Sequence, residues 1–261
     1  AMAVNVGGTR AVLAAATSAG VAAVLVTGSA EVYGAPAAAD LPLREEAPLL
    51  TDKPYGRSKL AQERAALEYA ADVPLVVMRA FNHTGPMQRA EFVAPALATR
   101  IARAAADGMR IVRVGALDVR RDIGDVRDVV RAYRLVLEGL RASTIPRGSI
   151  LNVATGKAVS IRELFEQLCE IIGARVDPEV DPTLLRPGDP LLIVGSADRL
   201  RGLTGWTPEI PLQQTLQDLV ASLRIDPPAP RDQVERADPL LDSPPLTPQK
   251  FDPPAAAAPA H

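Results

Sequence analysis

Two short, uninterrupted apolar runs constrain this chain more than any other feature. Ala22 to Val26 leads into Thr27-Gly28-Ser29, and Pro74 to Met78 leads into Arg79. Runs of this length, bounded by turn or polar residues, suit strands covered on both faces, as in a parallel sheet. Consecutive parallel strands need crossover helices, and helical patterns are present to serve. One spans 5–19, with Gly20 as its stop, and another spans 55–71. The alternation predicts an α/β fold on a doubly wound parallel sheet.

The pattern continues with helices over 92–106 and 126–140 and strands over 110–114 and 150–153. A helix over 160–172 opens on Ser160 with Glu163 three residues later, a capping-box signature. Residues 34–54, rich in Pro and acidic side chains, read as a loop. Of 261 residues 48% are hydrophobic, enough for a sizeable core, and the formal charge of −2 gives no footprint for nucleic acid. Cys169 is the sole cysteine and His83 and His261 the sole histidines, so neither a disulfide framework nor a Cys/His metal centre is expected. No apolar run reaches the roughly 18–20 residues of a membrane span, and no leader pattern opens the chain. The expectation is a soluble cytoplasmic protein without membrane contact.

Tyr55 and Lys59 are four apart on a helical pattern and share one face. An ammonium near a phenol favours the phenolate, so such a Tyr can exchange a proton with a carbonyl or hydroxyl oxygen. Ser29 follows a buried strand at its carboxyl end, where open α/β sheets bind ligands, and its hydroxyl can orient the same oxygen.

These residues sit in motifs that resemble a known family. Val24-Leu25-Val26-Thr27-Gly28-Ser29-Ala30-Glu31-Val32-Tyr33-Gly34, Pro54-Tyr55-Gly56-Arg57-Ser58-Lys59 and Asn5-Val6-Gly7-Gly8-Thr9 are similar to extended short-chain dehydrogenases acting on nucleotide sugars. Arg79-Ala80-Phe81-Asn82-His83-Thr84-Gly85-Pro86 resembles the corresponding stretch of the GDP-4-keto-6-deoxy-D-mannose reductase group. Three later stretches resemble that group too: Arg120 to Asp128, Arg186-Pro187-Gly188-Asp189, and Leu203-Thr204-Gly205-Trp206-Thr207-Pro208.

The resemblance implies an NADP- or NAD-dependent reduction of a GDP-linked 4-keto-6-deoxy sugar to GDP-D-rhamnose. Ser29, Tyr55 and Lys59 would be catalytic. Asn5, Thr27, Tyr55, Lys59, Phe81 and His83 would face the cofactor. Glu31, Asn82, Arg121, Arg186 and Asp189 would face the substrate, with Arg121 on the diphosphate and Arg186 and Asp189 at the nucleotide end. In dehydratase relatives a Glu at the place of Glu31 serves as base. Ala30 leaves no second carboxylate beside it here, so a minor or structural role is expected. The alternatives are a GDP-mannose 4,6-dehydratase or another nucleotide-sugar epimerase/dehydratase, and a non-catalytic remnant. Helices 5–19 and 55–71 are expected to pair with their copies in a homodimer.

The resemblance also implies a division of the chain. Residues 1–157 would form an incomplete Rossmann-type dinucleotide-binding domain, with 82–120 contributing to the substrate region. Residues 158–225 would form a smaller substrate-binding region, and 226–261 a disordered Pro/Ala-rich tail. None of the 18 glycines falls in the G-x-G-x-x-G turn that cradles a pyrophosphate, and the chain opens directly on a helix. The expectation is that the first half of a larger fold is missing. Residues 1–261 alone would then bind NADPH weakly and show no reductase activity.

Overall fold

The computed structural model describes residues 1–223, so the tail expected over 226–261 lies outside the described residues. In chain order come a π-helical turn Ala3–Gly7, α1 (Gly8–Ser18), β1 (Val24–Thr27), α2 (Pro54–Leu67), β2 (Leu75–Ala80) and β3 (Asn82–Thr84). Next are α3 (Val93–Ala106), β4 (Ile111–Val114), β5 (Arg120–Asp125), α4 (Val126–Arg141), β6 (Ser149–Val153) and β7 (Ala158–Ser160). Last are α5 (Ile161–Ile172), β8 (Asp177–Val180), β9 (Leu192–Ile193), α6 (Asp198–Thr204) and α7 (Leu212–Ser222).

β2 lies between β1 and β6, and both pairings are parallel, with Val24 opposite Leu75 and Val76 opposite Ser149. Successive side chains of a strand leave by opposite faces. Leu75 and Val77 therefore pack with Leu13 and Ala16 of α1 and Ala66 of α2. Val76 and Met78 pack with Val129, Ala132 and Val136 of α4, Leu200 of α6 and Trp206. Helices thus cover both faces, and the fold is the doubly wound α/β sheet expected. A further core joins α3, α5 and α7 through Leu97, Ile101, Leu164, Leu168, Leu216 and Leu219. α6 belongs to the first sheet and α7 to this second core, so the stretch after 158 contributes to both.

β5 links these regions: it pairs in parallel with β3 and β9 and antiparallel with β7. Its sequence, Arg120-Arg121-Asp122-Ile123-Gly124-Asp125, carries no apolar alternation. Carboxylates take the place of that pattern. Buried Asp122 accepts from the backbone N–H groups of Thr155, Gly156 and Gly195 and from the Thr155 hydroxyl. Asp125 caps α4 by accepting from Arg127 N, and Asp128 accepts from the N–H groups of Glu209 and Ile210. Among the described residues no helix is long and apolar enough to cross a membrane. No group of three or more His, Cys, Asp or Glu among them is placed to hold a metal ion.

Candidate active site

β1 delivers Thr27 and then Ser29, which is extended (φ −159°) and caps the 3-10 turn Ala30–Tyr33. The Ser29 hydroxyl oxygen accepts from Glu31 N at 3.2 Å. Accepting that bond leaves the hydroxyl hydrogen free to donate. α2 starts beside it. Lys53 is the extended N-cap residue and Pro54 occupies the first turn, where its missing N–H costs nothing. Tyr55 follows, 50% exposed.

One turn on, Lys59 Nζ donates to the Thr27 carbonyl and to Gln62 Oε1, both at 2.9 Å. The ammonium lies 6.0 Å from the Tyr55 ring centre. Partial burial pulls its pKa below the ordinary lysine value. Two of its three hydrogens are used, so one remains. The N-terminal segment steadies this face from outside. Asn5 Nδ2 donates to Ser58 Oγ (2.9 Å), which donates to the Tyr55 carbonyl (2.7 Å), and Gln62 Nε2 donates to Thr9 Oγ1 (3.0 Å). At Gly56 a Cβ would overlap Thr51 Oγ1 and lie 2.6 Å from the Glu31 carbonyl oxygen. Only glycine lets α2 rest so closely on the turn that Ser29 opens.

Behind this face runs a buried polar network. Arg79 donates to both Glu63 oxygens (2.9 and 2.6 Å), to the Tyr33 hydroxyl (2.9 Å) and to the Glu45 carbonyl (2.9 Å). The Tyr33 hydroxyl in turn donates to Asn152 Oδ1 at 2.7 Å. Burial opposes the Arg79 charge, yet the hydrogen bonds to Glu63 hold the guanidinium more firmly ionised than usual. Arg79 thereby ties the Ser29 turn, through Tyr33, to the Tyr55 helix, through Glu63.

The remaining expected residues fall as follows. The Phe81 side chain is buried against Tyr33 and its carbonyl lies 3.0 Å from His83 Nδ1, while His83 itself is exposed. Asn82 is exposed at the start of β3 and lines a small hollow with Asp122, Thr155 and Trp206. Glu31 is exposed. Arg121 Nη2 pairs with Asp189 Oδ2 at 2.9 Å. Arg186 is exposed, and among the described residues its side chain makes no ion pair.

The structure thus gathers Asn5, Thr27, Ser29, Tyr55 and Lys59 at one place, and Arg121 with Asp189 at another. Sequence reasoning missed Lys53, which joins the second group by pairing with Asp189 at 3.2 Å, and Gln62 and the Arg79–Glu63 pair in the first. A signal for Lys53 existed. The chain has only four lysines, and two of them, Lys53 and Lys59, bracket Tyr55.

A doubly wound α/β sheet with Ser, Tyr and Lys at the carboxyl end of one strand and the start of the next helix defines the class. The chain belongs to the GDP-mannose 4,6 dehydratase family, whose model matches residues 1–219. It is 37% identical over 201 residues to a GDP-6-deoxy-D-mannose reductase of Pseudomonas aeruginosa, covering 76% of this chain and 64% of that protein's length. The structure of RMD from Pseudomonas aeruginosa complexed with NADPH matches with a TM-score of 0.76 at 35% identity, over 85% of this chain and 73% of that one. MoeE5 in complex with UDP-glucuronic acid and NAD matches with a TM-score of 0.71 at 31% identity, over 84% and 71%.

Proposed function

We propose that the protein is an NAD(P)H-dependent reductase that converts GDP-4-keto-6-deoxy-D-mannose to GDP-D-rhamnose. The observation that carries this reading is Lys59, which donates to the Thr27 carbonyl, two residues before Ser29, from the helix that also bears Tyr55, with its ammonium 6.0 Å from the Tyr55 ring centre. The likeness to the Pseudomonas aeruginosa reductase supports the choice of substrate.

The donor set fits a nicotinamide nucleotide, since Lys59 keeps an unused N–H and its ammonium lies 6.0 Å from the ring of the half-exposed Tyr55. Asn5, Thr27, Tyr55, Lys59, His83 and the backbone of Phe81 would hold it, and when bound it supplies a hydride. The NADPH- and NAD-bound neighbours support either nucleotide. In this reading Ser29 donates a hydrogen bond to the substrate's C4 carbonyl oxygen and fixes its direction. Tyr55 gives its phenolic proton to that oxygen as negative charge develops there. Lys59 stabilises the phenolate left behind and returns to its ordinary hydrogen bonds once a solvent proton arrives. Asn82 positions the sugar, and Arg121 holds the diphosphate with its planar fork. Arg186 and Asp189 lie at the nucleotide end, and Glu31 takes a minor substrate-side role.

In this scheme residues 1–157 serve the cofactor, and 158–225 with 82–120 serve the substrate. The working unit is a homodimer in the cytoplasm. The N-terminal turn, α1 and α2 support the dimer: Met2, Val4 and Val12 are 54%, 76% and 63% exposed, and Met2 lines a groove with Val6, Leu60 and Ala61.

The test incubates the full-length protein with GDP-4-keto-6-deoxy-D-mannose and NADPH or NADH, then with GDP-mannose and NAD(P)⁺, followed by mass analysis. Gain of two hydrogens by the keto sugar supports the proposal. Loss of water from GDP-mannose instead would move the assignment to a dehydratase with Glu31 as base. No turnover of either sugar would leave the remnant reading.

A further inference from the structure

Two cations converge on one carboxylate at the nucleotide end. Arg121 Nη2 lies 2.9 Å from Asp189 Oδ2, and Lys53 Nζ lies 3.2 Å from Asp189 Oδ1. Among the described residues neither cation has another carboxylate partner. One negative charge therefore faces two positive ones, and the cluster keeps a net positive charge.

The three groups are anchored unequally. Arg121 is held by its other terminal nitrogen, which donates to the carbonyls of Pro190 (2.8 Å) and Arg120 (2.9 Å), and its strand is paired on both sides. Lys53 is fixed to α2, because its carbonyl accepts the helix bond from Arg57 N at 2.9 Å. Asp189 instead stands on a tight turn. Gly188 is left-handed (φ +70°) with nothing near it, and Asp189 N bonds to Arg186 O at 3.2 Å. The cations belong to the framework and the anion to a surface turn.

We infer that Lys53 and Arg121 form a two-cation fork for a diphosphate, with the Asp189 carboxylate as its internal occupant until the ligand displaces it. A diphosphate carries more charge and more acceptor oxygens than a carboxylate. Arg121 can take two of those oxygens through its planar fork, and Lys53 can meet the second phosphate as a point charge. Lys53 is thereby a binding residue of the site. It stands two residues before Tyr55, so the same contact ties the diphosphate to the helix that carries the proton donor. The inference rests on the proposed function only in naming a sugar nucleotide as the source of that diphosphate.

Titration calorimetry of the full-length protein with inorganic pyrophosphate tests it without any turnover. Asp189→Asn keeps the shape and removes the competing charge, so its dissociation constant should fall about fivefold, the scale of one half-exposed ion pair. Lys53→Met should raise the constant by about the same factor, and Lys53→Gln should repeat that result if packing of the methionine is questioned. Tighter binding by Asp189→Asn together with weaker binding by both Lys53 variants supports the fork. Unchanged or weaker binding by Asp189→Asn overturns it, because the carboxylate would then be a support and not an occupant. Pyrophosphate that binds neither the wild type nor Asp189→Asn also overturns it, whereas the proposed reduction stands or falls on its own assay.

Discussion

Behind Tyr55, the side chains of Arg79 and Glu63 are 2% and 4% exposed, whereas beside Arg121 those of Lys53 and Asp189 are 42% and 27% exposed. The first pair also satisfies Tyr33 and, through it, Asn152, both fully buried, so no partner can leave without stranding another. The second pair faces water, which can replace either partner at little cost. The glycines differ in the same sense. Gly56 is crowded by Thr51 and Glu31, while Gly188 has open space around it. Proton transfer needs fixed geometry, because a small misplacement is amplified in rate. Recognition of a phosphate needs charges that can exchange partners. In the proposed function the rigid place serves proton transfer and the exchangeable one serves the diphosphate.

The largest effect should come from the reacting group itself. Tyr55→Phe keeps the ring and removes the proton, so turnover of the full-length enzyme should fall about 10²–10⁴-fold with little change in substrate binding. Steady-state kinetics with the keto sugar read this directly, and near-normal turnover would sink the assignment of Tyr55. Arg79→Met comes next, since it leaves Glu63 buried and unpaired. It should cost about 3–5 kcal/mol in urea unfolding, and Arg79→Met combined with Glu63→Leu should recover much of that loss. A single variant no less stable than the double would show that the buried network is not what distinguishes this end.

How the sequence displayed these two ends follows from the range of their contacts. The strands β1 and β2 were legible because they are covered on both faces and so read as unbroken apolar runs. The cap of α5 was legible because it is local: Ser160 N donates to Glu163 Oε2 (2.6 Å) and Glu163 N donates to Ser160 Oγ (3.0 Å). β5 was visible only as a motif, since Asp122 is buried through partners 33 to 73 residues away and shows no apolar period. β3, β7 and β9, of two or three residues each, are too short to display a period. At the site, the Tyr55–Lys59 spacing was readable within one helical turn. The Lys53–Asp189 contact spans 136 residues and leaves no local trace beyond the scarcity of lysine.

A smaller pair of substitutions sets the two glycines against each other. Gly56→Ala must push α2 away from the Glu31 carbonyl, at about 1–3 kcal/mol by overpacking, and should lower kcat by separating Ser29 from Tyr55. Gly188→Ala meets only the left-handed backbone penalty of about 1–2 kcal/mol and should leave kcat unchanged. Urea midpoints together with kcat measure both. If Gly188→Ala lowered kcat as much as Gly56→Ala, the contrast between a rigid chemical end and an exchangeable nucleotide end would fail.

The smallest expected effect lies near Arg121, where exposed charges should make pH visible. Glu163 is exposed, and the N–H of Ser160 holds its pKa below the ordinary carboxylate value, with Arg120 Nη1 3.6 Å away on the strand that carries Arg121. A carboxylate whose folded pKa is lowered stabilises the fold above its unfolded value and loses that contribution as pH falls through the folded one. Glu163→Gln keeps an acceptor for Ser160 N but removes the charge. The variant should therefore be slightly less stable than the wild type at about pH 7, and the difference should shrink as pH falls below the unfolded carboxylate value and vanish once it has fallen through the lowered folded one. The buried Arg79–Glu63 pair provides the contrast. Arg79→Met should remain strongly destabilised at about pH 6 and at about pH 8 alike, because Arg79 stays charged throughout that window. Urea midpoints for both variants across this range decide the matter, and a Glu163→Gln deficit that grew on acidification would show that the cap does not work through its charge.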